Sequence, residues 1–105
     1  MRSDADLIQQ SIRLILSTSR GERVMMPDFG CDLKQMVFKA GDEQVIHLAD
    51  YIVRTALQKW EPRIKVTAVS TSIGGAGRST LLIDITYVIR AFNSQYNLVY
   101  PFYLG

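Results

Sequence analysis

Thr80-Leu81-Leu82-Ile83-Asp84-Ile85-Thr86-Tyr87-Val88-Ile89-Arg90-Ala91 is the stretch on which the fold turns. Leu81, Ile83, Ile85, Tyr87 and Ile89 take every second position, while Asp84, Thr86 and Arg90 fall between them. Successive side chains of a strand point to opposite faces. The spacing therefore predicts a strand with one apolar face and one polar face.

Working outward, Ile64–Ile73 alternates more loosely, with Ile64, Val66 and Ala68 set against Lys65, Thr67 and Thr71. Gly74-Gly75-Ala76-Gly77 between the two segments reads as a flexible hairpin tip. On the other side, Asn93–Asn97 reads as a polar turn, and Leu98, Tyr100, Phe102 and Leu104 form a third alternating set. Three strands joined by short turns make an antiparallel meander, whose apolar face needs helices to cover it. Pro101 cannot donate to a ladder, so the third strand should have a free or interrupted edge.

Two helices precede the strands. Ile8, Ile12, Ile15 and Leu16 recur at i, i+4, i+7 and i+8, which gathers them on one face, and Leu7 and Leu14 widen it. Ser3 and Asp6 form a capping-box-like start. The hydroxyl-rich run Ser17–Ser19 should end this helix by competing for its backbone carbonyls. The second helix starts at Asp42 as cap and buries Val45, Ala49, Ile52, Val53, Ala56 and Trp60. His47, Asp50, Arg54 and Gln58 lie opposite, and Pro62 stops the helix. Between the helices, residues 20–41 lose periodicity. Gly21, Pro27, Gly30 and Gly41 punctuate them, and Met25, Met26, Phe29, Leu33, Met36, Val37 and Phe38 are apolar anchors. This reads as a loop over the core, with a helical turn at Asp32–Val37. The fold class is α+β: two helices packed on one face of a three-stranded antiparallel meander.

The 105 residues suffice for one domain, 1–105. Hydrophobic residues at 48% and charged residues at 21% describe a globular chain rather than a disordered one. Net charge is +2, from 12 basic and 10 acidic residues without any long like-charge run, so no nucleic-acid partner is indicated. No apolar stretch approaches the ~20 residues of a membrane span, and no signal pattern opens the chain. The reading is a protein made in the cytoplasm, with no membrane insertion.

Chemistry-bearing motifs are scarce. Cys31 and His47 are the sole residues of their types, which rules out a disulfide within the chain and a four-thiolate metal site. His47 reads as a solvated surface residue, and Cys31 as a small buried thiol. Gly74-Gly75-Ala76-Gly77-Arg78 lacks the Gly-Lys-Ser/Thr ending of a phosphate loop, and a strand rather than a helix follows it. Glu22, Asp28, Asp32 and Glu61 are the acids open to a glycosidase reading, which needs two of them at a set separation. The expectation is no catalytic residue, no metal and no cofactor.

Three stretches stand out together: Gly21-Glu22-Arg23-Val24-Met25-Met26-Pro27-Asp28-Phe29-Gly30, Trp60-Glu61-Pro62-Arg63-Ile64, and Asn97-Leu98-Val99-Tyr100-Pro101-Phe102-Tyr103-Leu104. Their order and spacing resemble the baseplate wedge and sheath-initiator family of contractile tails. That family spans phage tails, type VI secretion systems and extracellular contractile injection particles, and is often labelled a baseplate lysozyme family. The likeness runs from about Ile12 to Leu104. It departs in that this sequence begins almost at the first helix, where many members carry an N-terminal arm, and in the apolar middle of Val24-Met25-Met26.

The resemblance implies a structural subunit that links the wedge to the first sheath ring and ends in a virion tail or injection-system baseplate. Its Glu-Pro-Arg motif, here Glu61, Pro62 and Arg63, would dock on the wedge core-bundle subunits. Its sheet would accept strands from tail sheath subunits, with Tyr100 and Phe102 as further partner-binding candidates. Physically, Pro62 holds Glu61 extended, so Glu61 and Arg63 can project the same way and bind a partner through charge-assisted bonds. Alternatively, the two charges pair within the chain. A lysozyme-like peptidoglycan hydrolase and a regulatory adaptor on the same fold are the rival functions.

Overall fold

Strand β2 (Thr80–Ile89) lies between β1 (Ile64–Gly74) and β3 (Ser94–Tyr103) in an antiparallel sheet of order β1-β2-β3. The computed structural model describes residues 4–19, 21, 25, 28–33, 42–74 and 80–103. Leu81, Ile83, Ile85, Tyr87 and Ile89 are all buried, as the alternation of β2 requires. Helices α1 (Asp4–Ser17) and α2 (Asp42–Trp60) join them in one hydrophobic core, so the α+β architecture read from the sequence is the one observed.

Helix α1 buries Ile8, Ile12, Ile15 and Leu16. Leu7 and Leu14 do not widen that face; at 44% and 46% exposure they face solvent, because α1 meets the core along one narrow stripe. Asp4 and Asp6 in the first turn suit the positive end of the helix dipole. At the other end the Leu14 carbonyl accepts bonds from the Thr18 amide (3.1 Å), the Thr18 hydroxyl (2.7 Å) and the Ser17 hydroxyl (3.2 Å). The hydroxyl run therefore ends the helix by the expected route.

Helix α2 buries Val45, Ala49, Ile52, Val53 and Ala56, and adds Leu57 to the stripe. Trp60 is only partly buried, packing edge-on against Phe29 with ring centroids 5.1 Å apart. His47 is exposed, and Asp50 pairs with Arg54 on the outer face. The Glu61 amide donates to Leu57 O at 2.9 Å, and Pro62 then stops the helix.

Strand β1 departs from simple alternation. Val66 pairs with Tyr87, but Ala68 pairs with Thr86, so a bulge sits at Thr67. The extra residue flips the facing of everything after it. Ala68 is thus exposed, and Val69, Thr71 and Ile73 take the inward positions. The Thr67 hydroxyl donates to Thr86 O across the bulge at 3.1 Å.

The second turn also differs from expectation. It spans residues 90–93, with the Phe92 and Asn93 amides donating to Ile89 O and Asn93 at φ 53°, a conformation asparagine tolerates. Strand β3 therefore begins at Ser94, and Gln95, Tyr96 and Asn97 are paired in the ladder. Asn97 is polar because its amide reaches Asp84 and Ile85 O on the neighbouring strand.

In the inter-helix segment, Cys31 and Leu33 are buried and Phe29 is partly buried, consistent with a loop laid over the core. Met25 is no anchor, with 91% exposure. Ser19 and Cys31 form a parallel bridge that ties the loop to the end of α1. Ser3, the side chain of Asp42, most of the turn expected at Asp32–Val37, Glu22, Met26, Pro27, Gly41, the hairpin tip beyond Gly74, and Leu104 lie outside the described residues.

Candidate functional site

The chain leaves α2 through Glu61-Pro62-Arg63, and the geometry there is specific. Arg63 donates Nε to Glu61 Oε1 at 2.7 Å and a terminal nitrogen to Oε2 at 2.8 Å, a two-pronged fork. The two ends of the pair differ sharply in exposure: the Glu61 side chain is 2% exposed and that of Arg63 is 54% exposed. Glu61 therefore does not project toward a partner. It is the buried anchor, and the guanidinium is the presented group. Burial pushes the Glu61 carboxyl up, but hydrogen bonds from Arg63 and from Ser11 of α1, with the Arg63 charge, outweigh it and leave it below its ordinary value. The same bond to Glu61 raises Arg63, helped by the field of Asp4.

Ser11 was not singled out by sequence reasoning. Its signal was a polar residue three positions after Ile8 and four before Ile15, on the buried face of α1. Through it, the corner after α2 is bonded to α1 as well as to itself. Pro62 stands exposed between the two charged residues. Next to the corner, Lys59 Nζ lies 5.0 Å from the Trp60 ring centre.

Tyr100 and Phe102 lie elsewhere, on the inward face of β3 at the edge of the sheet, and both are partly buried. They line an open pocket of ≈ 210 Å³ with Leu16, Ser17, Cys31 and Tyr103. Burial pushes the Tyr100 hydroxyl above its ordinary value, with Cys31 adding and Arg13 opposing. Tyr96 stacks on buried Tyr87 at 6.0 Å, and Tyr103 is 71% exposed. The structure therefore separates the two candidate surfaces, with Glu61, Pro62 and Arg63 at the end of α2, and Tyr100 and Phe102 at the β3 edge. Both β1 and β3 border the sheet on one side only, among the described residues.

The catalytic possibilities resolve less well. The Cys31 thiol donates to Leu16 O at 3.4 Å, and its pKa is raised, first by burial and also by Asp32, against a lowering hydrogen bond from the Leu33 backbone. A raised thiol is a poor nucleophile. Asp28 and Asp32 line an open pocket of ≈ 240 Å³ with Tyr51, Lys59 and Trp60. That is below the ~300 Å³ at which ligand clefts usually start. Among the described residues no group of three His, Cys, Asp or Glu is placed to hold a metal ion. Among the described residues no helix is long and apolar enough to cross a membrane.

Comparison with known proteins gives a consistent picture. Residues 2–94 match the family model described as baseplate wedge protein gp25. Baseplate protein W of Escherichia phage P2 is 37% identical over 84 residues, covering 77% of this chain and 70% of that protein. Baseplate wedge protein gp25 of Enterobacteria phage T4 is 29% identical over 82 residues, covering 78% of this chain but 61% of its own length. A solved Geobacter sulfurreducens protein, provisionally called a tail lysozyme, superposes with a TM-score of 0.92 at 47% identity, covering 100% of this chain and 95% of that one. A chain of the type VI secretion system baseplate complex shares the fold at a TM-score of 0.78 and 17% identity, covering 96% of this chain and 93% of its own. A chain of the postcontraction pyocin R2 baseplate gives 0.63 at 26% identity, covering 99% and 89%.

Proposed function

The chain belongs to the gp25 family of baseplate wedge proteins, and from that premise we propose that it joins the wedge of a contractile injection machine to the first ring of the sheath. As a baseplate wedge subunit it works by docking, and two surfaces serve two neighbours. The corner at Arg63 meets the core-bundle subunits of the wedge. The open sheet margin beside Tyr100 and Phe102 takes strands from sheath subunits, since backbone groups at a free edge supply affinity without a cavity.

The observation that carries this reading is the fork between Arg63 and Glu61. A carboxylate buried to 2% exposure and bonded from two sides holds a half-exposed guanidinium in one orientation. A presented guanidinium of fixed direction suits a carboxylate or a row of carbonyls on a neighbouring chain. Little of its side-chain entropy remains to be lost on binding. In a pull-down with purified wedge subunits, the Glu61→Ala/Arg63→Ala double variant is expected to stay folded and to lose at least about nine-tenths of capture. Normal capture of that variant would remove the Glu-Pro-Arg assignment.

The matched phage relatives carry structural names, baseplate protein W and baseplate wedge protein. The hydrolase reading has Asp28 and Asp32 in its favour only as two acids on one open pocket. Purified protein is expected to leave a peptidoglycan suspension uncleared over hours. Clearing that vanishes in Asp28→Asn would reverse the assignment. The chain's role in the assembly is then mechanical: it holds two neighbours at a set spacing.

A further inference from the structure

A second recess adjoins the Glu-Pro-Arg corner, between the last turn of α2 and the first residues of β1. It is an open pocket of ≈ 480 Å³ over Leu57 and Ile64, with Pro62, Lys65, Val66 and Arg90 around it. Leu57 at 0% and Ile64 at 4% exposure belong to the core beneath it, so the apolar surface that the recess offers is that of exposed Pro62 and half-buried Val66. The Arg90 amide donates to Arg63 O at 3.0 Å, which fixes the turn after β2 beside the corner. Lys65 and Arg90 are exposed, and among the described residues neither side chain has a hydrogen-bond or ion-pair partner. Among the described residues no carboxylate lines the recess.

We propose that this recess docks an acidic segment of another protein, with one apolar side chain against Pro62 and Val66 and carboxylates on Lys65 and Arg90. The charge pattern selects the occupant. Two cations beside Pro62 and Val66, with the adjoining Glu61 carboxylate buried and already held by Arg63, fit a short peptide in which acidic residues flank an apolar one. Nucleic acid would want a row of cations tracking phosphates, and the chain's net charge of only +2 is spread along its length. A second copy of this chain is disfavoured because the rim would meet its own positive charge. The recess also opens onto β1, a sheet border among the described residues, so an extended segment could continue along its backbone. The inference rests on the reading of this corner as a docking surface and adds the chemistry of what docks there.

The test is a titration of isotope-labelled full chain with acetyl-Glu-Asp-Leu-Glu-Asp-amide, followed by amide NMR shifts. The neutral analogue acetyl-Gln-Asn-Leu-Gln-Asn-amide and a short DNA duplex serve as comparison probes. The acidic peptide is expected to move the amides of Ile64, Lys65, Val66 and Arg90. Lys65→Glu with Arg90→Glu should weaken it at least about tenfold, since each rim charge contributes about two- to fivefold when matched and opposes binding when reversed. Raising salt from about 0.05 to about 0.5 M shortens the screening length about threefold and should weaken binding similarly. Both substituted positions are exposed, and an unchanged circular dichroism melt verifies folding. Equal shifts with the neutral analogue, shifts confined to other residues, no shift at millimolar peptide, or stronger shifts with the duplex would each overturn the proposal. A failed titration with intact wedge capture sinks this inference alone. Failed wedge capture with a positive titration sinks the wedge reading and leaves the recess standing.

Discussion

Gly30→Ala is expected to lower unfolding free energy by about 3 kcal/mol or more, whereas Gly21→Ala costs about 1. Both glycines have positive φ, 92° at Gly21 and 111° at Gly30, so both substitutions strain the backbone. Only Gly30 also collides. A Cβ there would stand 2.3 Å from Thr18 O and 2.9 Å from the Thr18 carbonyl carbon, while nothing lies within 4 Å of one at Gly21. The obstacle is backbone, and it cannot swing aside, because Thr18 is bonded to Leu14 O through both its amide and its hydroxyl. Thr18 O also accepts the Cys31 amide at 2.9 Å, so relief of the clash would break the tie between α1 and the loop. Buried Cys31 and Leu33 would lift with it, and the pocket beneath Tyr100 and Phe102 would lose one wall. Urea denaturation of the two variants checks this. Equal costs would mean that conformational strain alone governs both sites and that close approach at Gly30 adds nothing.

Arg63→Ala should cost about 2 kcal/mol at neutral pH, below the ~3–5 of a fully buried pair because its guanidinium is half in water. The penalty falls on Glu61, which keeps only the bonds from Ser11 and from the backbone at 63 in a buried position. Its pH dependence identifies the cause. In the unmodified chain the Glu61 carboxyl lies below its ordinary 4.5, so the folded state binds its proton less tightly than the unfolded chain does. The pair therefore stabilises the fold above that pH, and its contribution fades as acid protonates Glu61. Without the Arg63 side chain its bond and its charge no longer oppose burial, so the carboxyl rises relative to the unmodified chain and the variant loses the stabilisation that the pair supplies at neutral pH. The stability gap between the two proteins should narrow from about 2 kcal/mol near pH 7 to under about 1 near pH 4. Paired denaturation curves at the two pH values would show it. A gap independent of pH would mean that Arg63 contributes packing rather than charge.

Much of this architecture was legible in the chain. Period-2 spacing in β2 and the i, i+4, i+7, i+8 stripe of α1 are geometric consequences of apolar placement, and Pro62 marks the end of α2 by removing a donor. What stayed hidden depends on distant partners. The bulge at Thr67 sits among small Ala, Thr and Ser residues with no strong facing preference, so nothing local announces the flip. Asn97 looks like turn chemistry, yet its amide serves Asp84 and Ile85 on the neighbouring strand. Leu7, Leu14 and Met25 look like core, but α1 and the loop meet the core along a narrower front than hydrophobicity alone suggests. At the site, the motif Glu61-Pro62-Arg63 was readable, but the division of labour within it was not. An acid so close to a proline turn is ordinarily exposed. Burying it takes a fork from Arg63 and a hydroxyl from Ser11, fifty residues earlier in the chain.

That division of labour governs how the docking surface should respond to substitution. Glu61 acts through Arg63, so its loss should disorder the guanidinium rather than delete a contact. Arg63 itself carries the contact. Lysine at 63 keeps the charge and most of the length but cannot make the planar fork, so it separates charge from orientation. The most direct measurement is therefore the affinity of the Arg63→Lys variant for purified wedge subunits, by biolayer interferometry at fixed salt. A loss of about ten- to a hundredfold, with the fold intact, is expected if an oriented guanidinium is what the wedge reads. Affinity equal to that of the unsubstituted chain would contradict the account.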